Sequence, residues 1–161
     1  MEQVGSGWDP PREVRDRIDF HWFHVVPGRA MRLVVLSGSP MWYVGHFYKG
    51  RMRRCGGDGC ELCAGGVGSQ VRYVLGCVDV ETRNVGVIEV GKSVGLLLRS
   101  WAERRGGLRW MFVEVSKVSG AKQSRTEVVE LDENPPHWSK ALEAPDLAEA
   151  LLRTWERQGG G

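Results

Sequence analysis

A chain of 161 residues, 42% hydrophobic and 26% charged with a formal net charge of +2, has room for one domain with a proper core and short extensions. No apolar run nears the roughly 18 residues that span a membrane, and Met1 to Pro11 lacks the basic-then-apolar order of a secretory signal. These features predict a cytoplasmic protein without a membrane partner, in a reducing compartment where clustered cysteines bind metal more often than they form disulfides.

Residues 1–19 mix Gly, Pro and balanced charge, and are expected to form a mobile arm with a turn of helix at Arg12 to Ile18. Ala30 to Leu36 is short, β-branched and closed by the turn Ser37-Gly-Ser-Pro40, which predicts a strand. Met41 to Tyr48 is a second strand, rich in aromatics. The glycine-rich stretch Lys49 to Gly68 is too irregular for either periodicity. Val71 to Val80 and Val85 to Val90 read as a hairpin joined by Glu81-Thr-Arg-Asn84.

After Gly91, Ser93 is the expected cap of a helix running to about Arg104, with Leu96, Leu97 and Trp101 on its apolar face and Gly106-Gly107 as its stop. Leu108 to Val118 and Thr126 to Leu131 predict another hairpin with Ser119 to Arg125 as its loop. Asn134-Pro-Pro136 then breaks the pattern. Asp146 and Glu149 resemble a capping box before the amphipathic stripe Leu147, Leu151, Trp155. The expected fold is mainly β: an OB-fold-like small barrel with an inserted zinc-binding loop, one internal helix and a C-terminal amphipathic helix. The barrel is expected over residues 20–133, with the zinc loop at 46–66 and a linker and helix over 134–161. Six strands are predicted where an OB-fold needs five, and a split zinc-ribbon protein with a sandwich core is the alternative.

The loop carries the clearest chemistry. Cys60-Glu-Leu-Cys63 is a C-x2-C knuckle, and Cys55 precedes it by five positions. Two thiolates three residues apart grip one ion where a tight turn aims both sulfurs inward, and the neighbouring glycines permit such a turn. A closed tetrahedral site needs a fourth ligand, for which His46 and Cys77 are the candidates. If the flanking strands pair with Tyr48 near Val71, His46 falls near Tyr73, whereas Cys77 falls opposite Trp42, about four residues further from the loop base. That pairing favours His46, and Cys77 then reads as a small buried hydrophobe. A redox C-x-x-C starts a helix after a strand, unlike this glycine loop. A zinc deaminase needs an H-x-E partner that the chain lacks. His21, His24 and His137 read as ordinary histidines.

Charge is unevenly spread. From Phe20 to Gly57 there is no Asp or Glu, yet Arg29, Arg32, Lys49, Arg51, Arg53 and Arg54 fall inside, with seven of the fourteen aromatics. Such a local excess attracts phosphates, and nearby aromatics can stack on bases. Trp42, His46 and Tyr48 alternate with Tyr43 and Phe47 along their strand. Trp110 and Phe112 alternate with Met111, Val113 and Val115, and since the aliphatic set makes the better core face, the two aromatics are expected on the surface.

The order His46-x8-Cys55-x4-Cys60-x2-Cys63 between two strands of an OB-like barrel resembles the single-stranded-DNA-binding protein of T4-like bacteriophages. The resemblance spans about residues 29 to 118 and rests on ligand order and strand context. It implies an OB-fold whose inserted zinc subdomain helps hold single strands without sequence preference. The family type has a basic N-terminal segment, whereas Met1 to Asp19 carries five acids against three arginines. The family type also has an acidic C-terminal tail, whereas the last residues here are expected to form an amphipathic helix followed by Gln-Gly-Gly-Gly.

The functional expectation is a non-enzymatic protein that binds single-stranded nucleic acid, DNA in preference. Lys49, Arg51, Arg53, Arg54 and Arg72 would contact phosphate; Trp42, Tyr43, Phe47, Tyr48 and Trp110 form the stacking pool; one structural zinc ion would be held by His46, Cys55, Cys60 and Cys63. The alternative is a zinc-containing interaction subunit whose loop and C-terminal helix dock into a larger assembly.

Overall fold

In the computed structural model, which describes residues 21–119 and 124–159, the run Met31-Arg-Leu-Val-Val forms strand β1 (Met31–Val35). The expected N-terminal arm, with its turn of helix, lies outside the described residues, as does most of the loop at 120–123. Leu33, Val34 and Val35 are all buried, the mark of a strand covered on both faces. The chain bends through residues 36–40 and continues as β2 (Met41–Tyr48).

Strand β4 (Ser69–Asp79) receives both segments along one edge: β2 pairs with its first half (Trp42 opposite Tyr73) and β1 with its second (Val34 opposite Val78). Strand β5 (Val85–Gly91) runs along the other edge, from Val78 opposite Val85 to Arg72 opposite Gly91. Helix α2 (Lys92–Arg105) follows; then β6 (Phe112–Ser119) pairs with β1, and β7 (Ser124–Glu130) with β6. With β1 and β2 counted as one bent strand, the order is the expected one of a five-stranded OB-like half-barrel with a helix before its last two strands. The antiparallel sheet curls around Leu33, Val35, Leu75, Cys77, Ile88, Val90, Met111, Val113 and Val115, and Leu98 of α2 closes the end.

A seventh strand, β3 (Arg51–Arg54), falls where the sequence reads as irregular. Arg-Met-Arg-Arg has no apolar alternation to announce a strand. It forms because Lys49 (φ 50°) and Gly50 (φ 78°) make a two-residue turn with positive φ at both positions, which folds the chain back on β2 with Tyr48 opposite Arg51.

Helix α2 also departs from expectation. Gly91, not Ser93, occupies the N-cap and makes no side-chain cap bond, whereas Gly106 ends the helix in the left-handed region as predicted. The inward face is Val94, Leu98, Trp101 and Ala102; Leu96 and Leu97 are exposed. Gly95 accounts for the rotation: it lies so close to Tyr73 that a Cβ there would come within 2.3 Å of the ring.

The outer face of the sheet is covered from the C-terminal side. Phe112, expected on the surface, is only 5% exposed, beneath Trp138 and Leu142 from the 3-10 helix His137–Ala141 and the residues beyond it. Trp110 precedes β6 at φ 73° and packs partly buried on the same cluster, with Arg109 over its ring at 4.4 Å. Helix α3 (Leu147–Gly159) begins with the expected cap, the Glu149 amide donating to Asp146 Oδ1 at 3.0 Å. Its Leu147, Ala150 and Leu151 are buried on Tyr43, Val74 and Val87. The apolar stripe therefore covers the half-barrel. No helix among the described residues is long and apolar enough to cross a membrane.

Candidate metal centre

Four elements converge on one point. His46 sits near the end of β2, between Ser69 of β4 and Arg53 of β3. Cys55 directly follows β3, and its amide continues the hairpin by donating to Val44 O at 2.8 Å. A turn with Gly57 and Gly59 at positive φ returns the chain to Cys60. Cys60 is the N-cap of the short helix α1 (Glu61–Ala64), which carries Cys63. The glycines are required here because φ is 73° at Gly57 and 81° at Gly59, a conformation other residues resist.

The side-chain ligand atoms of His46, Cys55, Cys60 and Cys63 all lie within 4.8 Å of one another. Cys55 Sγ and Cys63 Sγ are 3.6 Å apart, and His46 Nε2 is 3.4 Å from Cys63 Sγ and 3.7 Å from Cys60 Sγ. A tetrahedral ion with metal–sulfur bonds of about 2.3 Å and metal–nitrogen bonds of about 2.0–2.1 Å has edges of about 3.8 Å between sulfurs and about 3.6 Å between sulfur and nitrogen. These three separations are close to that size, and with all four ligand atoms within 4.8 Å of one another the donor set fits one metal ion.

The imidazole is oriented for ligation. Its Nδ1 faces two backbone carbonyls, Val67 O at 3.1 Å and Gly68 O at 3.0 Å, so Nδ1–H donates and the Nε2 lone pair faces the sulfurs. His46 is wholly buried, and nothing in the loop's spacing foretold these two carbonyls. The thiols are unevenly poised. Amides of Cys63, Gly56 and Leu62 draw Cys60 down to about 6, and the Gly57 amide with His46 lowers Cys55. Cys63 is pushed up to about 11, first by its hydrogen bond with Cys55 and then by burial. Hydrogen bonding to Cys55 raises His46. Three thiols and one imidazole gathered at one point suit a cation, which would let all three sulfurs ionise.

Cys77 has no part in this. It lies in the core opposite Val35 and Gly86, and burial pushes its thiol up to about 12. The expected pairing is off by four residues, since His46 lies opposite Ser69 and not Tyr73. An even shift keeps every side chain on its face, so the inference from pairing to ligand survives. His21, His24 and His137 lie outside the cluster.

The residues read as nucleic-acid contacts are divided. Trp42 and Phe47 are exposed (64% and 60%), with Tyr48 at the edge of the same hairpin. Lys49 Nζ lies 5.4 Å and Arg53 Cζ 5.8 Å from the Tyr48 ring centroid, and Arg51 is exposed beside them. Arg54 instead covers the Trp155 ring. Tyr43 is buried under α3 and donates its hydroxyl to Glu89, whose other oxygen takes Arg72 Nε at 3.1 Å. Burial first, then that hydrogen bond, raises the Tyr43 phenol above its ordinary range. Tyr43 and Arg72 thus belong to a covered network and offer no free ring or charge. Trp110, packed on its own cluster, is a poor stacking surface as well.

Two depressions flank these elements. One, of about 550 Å3, is lined by Trp22, Arg51, Glu89, Lys117, Thr126 and Trp155, among others. The other, also about 550 Å3 and largely apolar, lies between α2 and the β1–β2 bend, with Trp42, Tyr73 and Leu96 on its walls. Comparison with protein-family models, with curated proteins and with solved structures finds no match to this chain.

Proposed function

We propose that this protein binds single-stranded nucleic acid, DNA in preference, without catalysing a reaction. A structural zinc ion on His46, Cys55, Cys60 and Cys63 anchors the β2–β3 hairpin that makes the contact. The observation that carries the reading is the hairpin's surface: Phe47, Tyr48, Lys49 and Arg51 stand exposed together, in a stretch with no carboxylate from Phe20 to Gly57. Rings that stack on bases beside cations that pair with phosphates are what binding without sequence readout requires. The ligand order and strand context, which resemble those of T4-like phage single-stranded-DNA-binding proteins, support the same reading. Three thiolates and one imidazole are a donor set of closed structural zinc sites.

The test is titration of the zinc-loaded protein with oligothymidylate and with oligouridylate at two salt concentrations. Binding that weakens steeply with salt supports the reading, and tighter binding of the deoxy strand supports the preference. No binding at low salt rejects it and favours the second reading, a subunit of a larger assembly. The apolar depression beside Trp42 and Leu96 speaks for that alternative.

A further inference from the structure

The cleft holding Arg51 and Lys117 joins parts of the sheet that are far apart in strand order. Three strands, β2, β4 and β1, separate β3 from β6, yet Arg51 of β3 and Lys117 of β6 line the same depression. The curl of the half-barrel brings the two ends of the sheet together over β5, whose Glu89 lies on the floor. That carboxylate is occupied: it takes both Arg72 Nε and the Tyr43 hydroxyl. The floor is therefore close to neutral, and the remaining charge on the walls is the positive charge of Arg51 and Lys117. Trp22, held to β5 by a bridge to Val87, and Trp155 of α3, whose ring also carries Arg54, line the same depression. A volume of about 550 Å3 lies within the roughly 300–1,000 Å3 of small-ligand sites.

We infer that a single strand leaves the hairpin along this cleft, with Lys117 taking a phosphate in the depression it shares with Arg51. The inference rests on the proposed single-strand binding and extends it to residues on β6 and β7. Arg51 belongs to both surfaces, so the cleft continues the hairpin face. Two cations in one depression lined by aromatic rings suit a polyanion with flat bases better than a compact anion.

The experiment titrates oligothymidylate into the full-length, zinc-loaded protein. Lys117→Met should weaken binding about three- to tenfold at low salt and make the salt slope shallower by roughly 0.7, the increment for one single-strand phosphate. Lys140→Met, which removes the same charge from an exposed site away from the cleft, should leave affinity within twofold, and Lys117→Arg should keep it. Thr126 lies directly opposite Lys117 on β7, so Thr126→Lys should tighten binding and steepen the slope. That gain is readable even if Lys117→Met folds poorly. Wild-type binding that Lys117→Met and Thr126→Lys leave unchanged, while Arg51/Arg53/Arg54 to Ala abolishes it, would overturn the cleft and spare the hairpin. Equal losses from Lys117→Met and Lys140→Met would overturn it too, as general charge loss. A wild type that binds no strand overturns both.

Discussion

The guanidinium of Arg54 lies 4.2 Å from the centroid of the Trp155 ring, so the residue just before the first cysteine of the cluster rests on the C-terminal helix. Trp155 also meets Tyr43 edge-on at 5.7 Å. One ring thus joins the metal loop, the sheet and α3. Replacing it removes a cation–π contact of about 0.5–1 kcal/mol together with partly buried packing. Trp155→Ala should cost about 2–3 kcal/mol in chemical denaturation, below the loss for a fully buried tryptophan. Trp155 is not one of the four ligands, so metal content should stay at the wild-type level. Loss of metal from the folded variant would show that the helix holds the cluster in shape.

The second prediction concerns that cluster. The protein purified under reducing conditions should hold about one zinc ion per chain by elemental analysis. Cys60→Ser should release it, because Cys60 combines the lowered thiol with the turn that closes the loop. Structural zinc contributes on the order of 10 kcal/mol in small peptides, so a lost thiolate should also loosen residues 55–66 to hydrogen exchange. His46→Ala should weaken retention likewise. Cys77→Ala should keep the full metal content while losing about 1–2 kcal/mol of core packing. Metal loss on Cys77→Ala with retention on His46→Ala would contradict the geometry.

The sequence exposed the cluster because its parts are local: three cysteines within nine positions and glycines where the chain must reverse. His46 was reachable through an approximate strand pairing, since only an odd error in register would have turned it away. Other features depended on distant chain. The alternation around Phe112 is that of a strand with one wet face, and nothing in it announces that Trp138 and Leu142 return to cover that face. Tyr43 looked like a partner of Phe47, but α3 lies over one and leaves the other exposed. The rotation of α2 depends on Gly95 meeting Tyr73 across the fold, a contact without a periodic signature. Strand β3 follows from a turn rather than from its own residues.

The third prediction is alkaline sensitivity. Burial pushes the Cys77 thiol up to about 12, and burial with the Glu89 hydrogen bond raises Tyr43. Both groups therefore stay protonated in the folded chain at pH values where the unfolded chain ionises, above about 8.5 for cysteine and about 10 for tyrosine. The unfolded state then binds fewer protons, so the slope of unfolding free energy with pH is negative. Their stabilising contribution is complete below those ordinary values and declines as pH rises from about 9 towards 12. Denaturant titrations at pH 8, 10 and 11 should show this decline, and Tyr43→Phe should flatten it above pH 10. An unchanged slope in that variant would show that the phenol ionises freely in the fold.

The last prediction separates charge from stacking on the hairpin. If about four to six phosphates are neutralised, the logarithm of affinity should fall with the logarithm of salt at a slope of roughly −3 to −4 for a single strand. Replacing Arg51, Arg53 and Arg54 together with Ala should weaken binding to every sequence and flatten that slope. Arg54 already rests on Trp155, so Arg51 and Arg53 should account for most of the change when tested singly. Phe47, exposed beside them, replaces Trp110 as the ring to remove. Phe47→Ala should cost about 1–3 kcal/mol of binding if it stacks on a base, and leave the slope almost unaltered. Trp110→Ala should instead lower stability, because its ring packs on Val34, Phe112 and their neighbours. Thermal unfolding of each variant distinguishes a lost contact from a lost fold. A Phe47→Ala variant that flattens the slope as strongly as the arginine triple would show that the hairpin had been displaced as a whole, and the division between rings and charges would then fall.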